Sequence, residues 1–142
     1  MIDMRLMGLD VGDATIGVAV SDELGWIAHG ICTIRRKSLN EDMKQLKDII
    51  EEKDIDKIII GLPKNMNNTI GERGRKSIEF GEIIKDFFPG IEIILWDERL
   101  TTAAAQRTLL EADVSRKNRK KVIDKIAAIF ILQGYMDAQK NS

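Results

Sequence analysis

The 142-residue chain has little of several residue types: one cysteine, one histidine and two prolines. A single cysteine, Cys32, cannot form an internal disulfide and fits a reducing compartment, and its isoleucine and threonine neighbours indicate a buried strand position. His29 has no obvious partner in the sequence. A disulfide-stabilised scaffold and a histidine-dependent, metal-free ribonuclease are therefore not expected.

Long apolar runs and a dominant charge are also absent. The longest apolar run covers residues 126–132, which is far too short to cross a bilayer. The first seven residues, MIDMRLM, include an acid and lack a long apolar core, so we expect no signal peptide and a cytoplasmic protein. The net charge of −1 does not indicate a nucleic-acid binder. Apolar content of 44% and charged content of 32% predict one folded domain over residues 1–142.

The stretch over residues 5–22, RLMGLDVGDATIGVAVSD, predicts a β-hairpin. Apolar residues precede Asp10, Gly12 marks a turn, and apolar, mostly β-branched residues follow at a spacing of two. We therefore expect Asp10 at or near the end of a buried strand, where a carboxylate needs a partner. A metal ion is one such partner, and the alternative is a turn aspartate that caps local N–H groups.

The rest of the chain predicts a third antiparallel strand and then helices alternating with strands. The third strand is predicted over residues 28–35, and Ser38 and Glu41 have the spacing of a capping box that opens a helix to about residue 53. A continuous β-branched run predicts a buried parallel strand over residues 56–62, and residues 91–96 are predicted to form the last strand. Residues 63–77, rich in Asn, Gly and basic side chains, are predicted to form a mobile loop before a second helix. Further helices are predicted over residues 103–112 and about 120–139.

This order predicts an α/β fold with a mixed five-stranded sheet, in which three antiparallel strands precede parallel βα units and helices flank the sheet. The pattern is similar to the ribonuclease H-like fold. Three acidic positions then stand out: Asp10 closes the first strand, Glu98 follows the last strand beside Asp97, and Asp124 lies in the first turns of the last helix. Ligands gather outside the carboxyl ends of parallel strands, and carboxylates without His or Cys ligands suit Mg²⁺ or Mn²⁺.

Each carboxylate also has a purely structural interpretation. Asp124 could complement a helix dipole, and Asp97 and Glu98 could pair with Arg99 at the surface. Strand alternation places Asp97 and Glu98 on opposite sides of the sheet without deciding which of them faces Asp10.

Basic residues are concentrated in two segments, residues 73–76 and residues 115–121, which could hold phosphates or simply face solvent. The stretch SRKNRKK over residues 115–121 holds five basic residues and no acid. The candidate phosphate-binding residues are Arg73, Arg75, Lys76, Arg99, Arg116, Lys117, Arg119, Lys120 and Lys121. Residues 10–15 also resemble the first phosphate loop of actin-like ATPases and sugar kinases, which need two such domains to enclose a nucleotide.

Four segments resemble, in order, the motifs of the YqgF/RuvX family: GLDVGDATIGVAVSD, IIIGLPKNMNN, WDERLTT and VIDKIAAIFILQGYMD. Its members are bacterial RNase H-like proteins regarded as Holliday junction resolvases and as pre-16S rRNA nucleases. The resemblance implies that Asp10, Glu98 and Asp124 are metal-binding catalytic acids. It also implies a cytoplasmic role in maturing the 5′ end of 16S ribosomal RNA, with ribosomal particles as partners. Family members often carry a basic residue where this chain has Thr15, so the chain lacks a basic side chain for substrate contact at that position.

The resulting hypothesis is a metal-dependent endonuclease acting on a structured rRNA precursor. Two Mg²⁺ ions roughly 4 Å apart would activate water and stabilise the leaving oxygen, with Asp10 between them. One alternative is a Holliday junction resolvase that cuts branched DNA, which would be expected to act as a homodimer, whereas an RNA processor could be a monomer. Another alternative is an RNA-binding ribosome-assembly factor that does not cut.

Overall fold

The computed structural model describes residues 5–98 and 119–140, with side chains in the second range described from Lys125 onward. In these ranges the chain forms the strands β1 (Arg5–Val11), β2 (Thr15–Ser21), β3 (Ala28–Arg35), β4 (Ile55–Leu62) and β5 (Glu92–Asp97), and the helices α1 (Leu39–Lys53), α2 (Glu72–Phe87) and α3 (Arg119–Lys140). The helix predicted over residues 103–112 lies outside the described residues.

The strands form one mixed sheet in the order β3-β2-β1-β4-β5. Strand β1 is central: it pairs with β2 in antiparallel fashion and with β4 in parallel fashion. Strand β4 continues the parallel part of the sheet by pairing with β5. The predicted mixed sheet is confirmed, and the carboxyl ends of β1, β4 and β5 lie at one edge, hereafter the carboxyl edge.

Alternation along the strands gives the sheet two buried faces. On one face, Leu9 and Ile60 are completely buried and pack with Leu46 of α1 and with residues of α2. On the other face, Ile59 packs against Leu132 of α3. Because successive side chains point to opposite faces, Asp10 lies on the α3 face.

Three glycines on three strands allow α3 to lie close to the sheet; Gly8, Gly30 and Gly61 are hereafter the glycine groove. A Cβ atom on Gly8 would lie 2.7 Å from Cβ of Leu132, and one on Gly61 would lie 2.5 Å from Cδ1 of Ile131. These distances are shorter than real carbon contacts, so a side chain at Gly8 would push the helix away and one at Gly61 would force a neighbouring side chain to move.

The direction of α3 follows from its contacts with β4. Ile131 lies over Gly61 near the carboxyl end of β4, whereas Lys57 near its start donates to the hydroxyl of Tyr135 at 3.4 Å. The helix therefore runs antiparallel to β4, and its N-terminal turns lie toward the carboxyl edge.

Helix α1 begins and ends close to where the sequence predicts. The Ser38 hydroxyl accepts a hydrogen bond from the backbone N–H of Glu41 at 3.2 Å, as in the predicted capping box. The helix ends at Lys53, and Asp54 follows in a left-handed conformation with φ of 52°. Within the described ranges, no helix combines the length and apolar content that crossing a membrane requires.

The prediction for residues 63–77 is partly wrong, because α2 begins at Glu72. Arg73, Arg75 and Lys76 therefore lie in the first turns of a helix and not in a loop. The physical reason is Gly74: a Cβ atom there would lie 2.8 Å from the carbonyl oxygen of Pro63. The glycine that suggested a loop is a close-packing position. Cys32 also differs from expectation, since it is only half buried.

Candidate active site

Asp10 is a buried carboxylate on the central strand. It is the penultimate residue of β1, its side chain is 3% exposed, and Gly17 of β2 lies opposite it. The turn after the strand is closed by the N–H of Gly12, which donates to the carbonyl of Thr15 at 2.8 Å. Asp10 therefore occupies a fixed position near the carboxyl edge, on the face that α3 covers.

Glu98 lies on the same face as Asp10, and Asp97 lies on the other. In the β4–β5 register Leu62 is opposite Asp97, which places Asp97 on the α1 and α2 side. The carboxylate of Glu98 instead lies above Gly61, where an added Cβ would be 2.8 Å from its Oε1 atom. Leu9 pairs with Ile60, so Gly61 and Asp10 are next to each other across β1 and β4.

Asp97 has a cation of its own on that opposite face. Its Oδ2 atom is 3.9 Å from the Nζ atom of Lys64, and the two side chains are 15% and 28% exposed. Arg99, the partner that the sequence predicted for Asp97 and Glu98, lies outside the described residues. Strand alternation alone did not decide which of Asp97 and Glu98 faces Asp10. The position of Glu98 above Gly61 shows that it is Glu98.

The third predicted acid, Asp124, is placed by the backbone of α3. Ala128 packs on Gly8, since its carbonyl oxygen would be 3.0 Å from an added Cβ there. Residue 124 lies one turn before Ala128 on the same helical stripe, in the direction of the carboxyl edge. The structure describes the backbone of residues 119–124 and not their side chains, so the position of this carboxylate is not described.

The described donors fit a hard cation. Asp10 and Glu98 offer carboxylate oxygens only, and the missing side chain of Gly61 leaves the space that Glu98 occupies. Among the residues whose side chains are described, no three His, Cys, Asp or Glu residues are grouped so as to hold a metal ion. A complete carboxylate site at this position would thus need a donor from the remainder of the chain.

Basic residues surround the same edge. The Nη2 atom of Arg73 is 3.8 Å from Oδ1 of Asp10. Lys76 donates a hydrogen bond of 2.9 Å to Asp13 in the β1–β2 turn. This bond and the lysine charge lower the pKa of Asp13, and the same contact raises the pKa of Lys76. Of the other predicted phosphate-binding residues, Arg75 lies in α2. The first turn of α3 contains Arg119, Lys120 and Lys121, whose side chains are not described. The remaining three, Arg99, Arg116 and Lys117, lie outside the described residues.

A buried ion pair beneath the β1–β2 turn is not apparent in the sequence. Asp42 of α1 is 2% exposed, and it accepts hydrogen bonds from Nε of Arg36 at 3.3 Å and from the N–H of Lys37 at 3.1 Å. A terminal nitrogen of Arg36 donates to the carbonyl of Gly12 at 2.8 Å. The pair therefore fixes the turn two residues after Asp10. Asp42 resembled an ordinary acid in the first turn of a helix, so only the structure reveals this contact.

A five-stranded mixed sheet with acids at its carboxyl edge and a helix across one face defines the RNase H-like class. Solved structures agree. The RuvC protein of Thermus thermophilus, in complex with Holliday junction substrate, is similar over 98% of this chain and 97% of its own, with a TM-score of 0.60 and 11% identity. The fowlpox virus Holliday junction resolvase is similar over 96% of this chain and 99% of its own, with a TM-score of 0.55 and 17% identity. At these identities the likeness shows the fold alone.

Sequence comparison defines the family. The model described as "RuvX: Holliday junction resolvase" matches residues 4–138. Relatives that carry the provisional name pre-16S rRNA nuclease include one from Clostridioides difficile strain 630, 58% identical over 142 residues and the full length of both chains. Another, from Thermoanaerobacter pseudethanolicus, is 59% identical over 139 residues, which are 97% of this chain and 99% of the relative. The chain belongs to the RuvX family, as its motifs predicted.

Proposed function

We propose that this protein is a metal-dependent endonuclease that processes the 5′ end of the 16S rRNA precursor in the bacterial cytoplasm. The observation that carries the proposal is the placement of Asp10 and Glu98 on one face of the sheet, at the edge where α3 begins. Membership of a resolvase family supports the nuclease activity. The provisional name of the relatives supports the ribosomal precursor as substrate.

In this proposal Asp10, Glu98 and Asp124 hold Mg²⁺ or Mn²⁺. The cation would supply an activated water and neutralise charge on the leaving oxygen, giving a 5′-phosphate and a 3′-hydroxyl. The chain's own contribution is position: β1 fixes Asp10, Gly61 makes room for Glu98, and the close packing of α3 sets the height of residue 124. A set of carboxylate oxygen donors at one edge suits a cation that retains several waters.

The basic residues at the same edge would hold the nucleic-acid backbone. Arg73 and Arg75 lie in the first turn of α2, and the sequence of residues 115–121, which ends in the first turn of α3, is strongly basic. Contacts of this kind position a substrate without reading its sequence. Binding would therefore weaken with added salt.

A second candidate function is cleavage of branched DNA. The description of the matching family model favours it, and so does the shared fold of a resolvase bound to a Holliday junction. A resolvase acts on a two-fold symmetric junction and would be expected to work as a homodimer, whereas an RNA processor could be a monomer. A third reading, an RNA-binding assembly factor without nuclease activity, would leave the same acids in place.

The test incubates the protein with a pre-16S rRNA fragment and with a four-way DNA junction, each in Mg²⁺ and in EDTA. We expect cleavage of the RNA in Mg²⁺ and no cleavage in EDTA. Asp10→Asn and Glu98→Gln should abolish cleavage because each removes a charged ligand. The matched control is Asp97→Asn, which changes the adjacent carboxylate on the opposite face and should retain activity.

The three readings give different results. Cleavage of the junction in preference to the RNA would replace the primary proposal with the second. RNA binding without cleavage in Mg²⁺ or Mn²⁺ would favour the assembly factor. Cleavage that survives both Asp10→Asn and Glu98→Gln would refute the carboxylate site itself.

A further inference from the structure

The buried carboxylate of Asp10 has a basic neighbour that is itself half in solvent. The Nη2 atom of Arg73 is 3.8 Å from Oδ1 of Asp10, and the two side chains are 53% and 3% exposed. This distance is too long for a direct hydrogen bond, so the contact is electrostatic. We propose that Arg73 is a displaceable counterion of Asp10, which a divalent cation and a nucleic-acid phosphate together draw away. The proposal rests on the proposed function.

The other arginine–aspartate pair near the site is built differently. Arg36 contacts Asp42 at 3.3 Å, donates to the carbonyl of Gly12 at 2.8 Å, and lies 5.1 Å from the centre of the Phe80 ring. An arginine held by a carboxylate, a carbonyl and an aromatic ring is a structural element. The contact of Arg73 with Asp10 is longer, and the Arg73 side chain is half exposed, so its departure costs the fold little once a cation compensates the buried charge of Asp10.

The backbone that carries Arg73 is fixed although its side chain is not. The next residue, Gly74, packs so closely that an added Cβ would lie 2.5 Å from Cγ2 of Ile70 and 2.8 Å from the carbonyl oxygen of Pro63. The first turn of α2 therefore cannot shift without disturbing these contacts. An exchange of partners by Arg73 needs only side-chain rotation, which is fast for exposed residues.

A divalent cation and the guanidinium compete for the same carboxylate. Mg²⁺ binds oxygen at about 2.0–2.1 Å, which would place its charge next to that of Arg73, and like charges at this separation repel. The neighbouring Lys76 is already held by Asp13 at 2.9 Å. Arg73 is thus the side chain that can leave Asp10 and turn its planar fork toward a phosphate.

This exchange makes metal and nucleic acid bind cooperatively. A phosphate that attracts Arg73 removes positive charge from Asp10 and so favours the cation. By thermodynamic linkage the cation must favour the phosphate by the same factor. Without an arginine at position 73, the metal should bind more tightly alone and should gain less from nucleic acid.

The experiment measures Mn²⁺ affinity by isothermal titration calorimetry, with and without a short 2′-O-methyl RNA oligonucleotide. The variant is Arg73→Gln, which removes the charge and keeps most of the side-chain length. The matched control is Lys85→Gln, which removes a positive charge from the last turn of the same helix. Thermal unfolding of each variant checks that the fold is intact.

We expect Arg73→Gln to tighten Mn²⁺ binding in the absence of RNA by about tenfold, the effect of roughly 1.4 kcal/mol. Lys85→Gln should leave it within about a factor of two, because that side chain lies at the opposite end of α2 from Arg73. The RNA-induced gain in Mn²⁺ affinity should be present in the wild type and smaller in Arg73→Gln.

Two results would overturn the proposal and can be told apart. Mn²⁺ binding that Asp10→Asn abolishes but Arg73→Gln leaves unchanged or weakens would refute the counterion role and leave the metal site standing. Absence of Mn²⁺ binding in the folded wild type, with and without RNA, would refute the metal-dependent function and the counterion role together.

Discussion

The substitution Gly61→Ala tests whether the space above β4 is what positions Glu98. An added Cβ would lie 2.5 Å from Cδ1 of Ile131, 2.8 Å from Oε1 of Glu98 and 3.1 Å from its Cγ. Ile131 is completely buried, so its movement is resisted, and Glu98 at the rim is the side chain that can move. We therefore expect the methyl group to displace the Glu98 carboxylate from the side of Asp10.

The expected change in the free energy of unfolding of Gly61→Ala combines two opposing effects. Overpacking a core position costs about 1–3 kcal/mol, whereas replacing glycine by alanine in a strand recovers roughly 0.5–1 kcal/mol. We expect a net loss of about 0.5–2 kcal/mol in the free energy of unfolding, measured by urea denaturation. Displacement of a ligand should weaken Mn²⁺ binding by roughly 10–100-fold, as loss of ligand support does elsewhere.

Another glycine of the same sequence provides the matched control. At Gly81 in α2 the nearest atoms to an added Cβ are Cδ1 of Ile60 at 3.4 Å and Cγ2 of Ile93 at 3.5 Å, which are ordinary contacts. Gly81→Ala should stabilise the protein by up to about 1 kcal/mol through helix propensity and leave Mn²⁺ binding unchanged. If Gly61→Ala also keeps full stability and full Mn²⁺ affinity, Glu98 does not lie where we place it.

Three further predictions concern the surroundings of the site. Asp42→Asn should reduce the free energy of unfolding by about 2–4 kcal/mol in urea denaturation, because it leaves Arg36 without its buried counter-charge; a loss below about 0.5 kcal/mol would contradict the ion pair. The hydrogen bond and charge of Lys76 hold the pKa of Asp13 below its ordinary value of 3.8. The pair therefore stabilises the fold above about pH 3.8, and this stabilisation is lost as the pH falls through the lowered pKa. Lys76→Gln should return the pKa of Asp13 toward 3.8 in an NMR titration, and an unchanged pKa would refute the contact. Burial raises the pKa of the Cys32 thiol, although the nearby Lys125 charge opposes this, so iodoacetamide at pH 8 should modify the native protein more slowly than the urea-unfolded chain.

Much of the fold could be predicted from local patterns. Strand β3 was predicted at its observed bounds, and helix α1 was predicted from the capping spacing of Ser38 and Glu41. These features depend on residues close in the sequence, where side-chain periodicity and local hydrogen bonds act directly. The mixed five-stranded sheet also followed, because antiparallel neighbours and short parallel crossovers leave few arrangements.

Features that depend on close packing could not be predicted. Gly74 looked like a loop residue in the sequence. Its actual role is to let helix α2 approach the carbonyl of Pro63, a contact that the local sequence does not reveal. The choice between Asp97 and Glu98 depended on which face of β5 meets α3. The contact between Arg73 and Asp10 joins residues of an exposed helix turn and a buried strand, and no spacing rule connects them.

The glycine groove has a consequence for how the site could be lost. Helix α3 lies on Gly8 and Gly61, where the strands have no side chains. Its distance from the sheet is therefore set by the strand backbone and by the helix side chains Leu132 and Ile131. A single methyl group at Gly8 would lift the middle of the helix and, through its rigid axis, change the distance between residues 10 and 124. A genetic screen for folded but inactive variants should therefore recover substitutions at Gly8, whose nearest neighbours are Leu132 and Ala128, alongside those at the carboxylates.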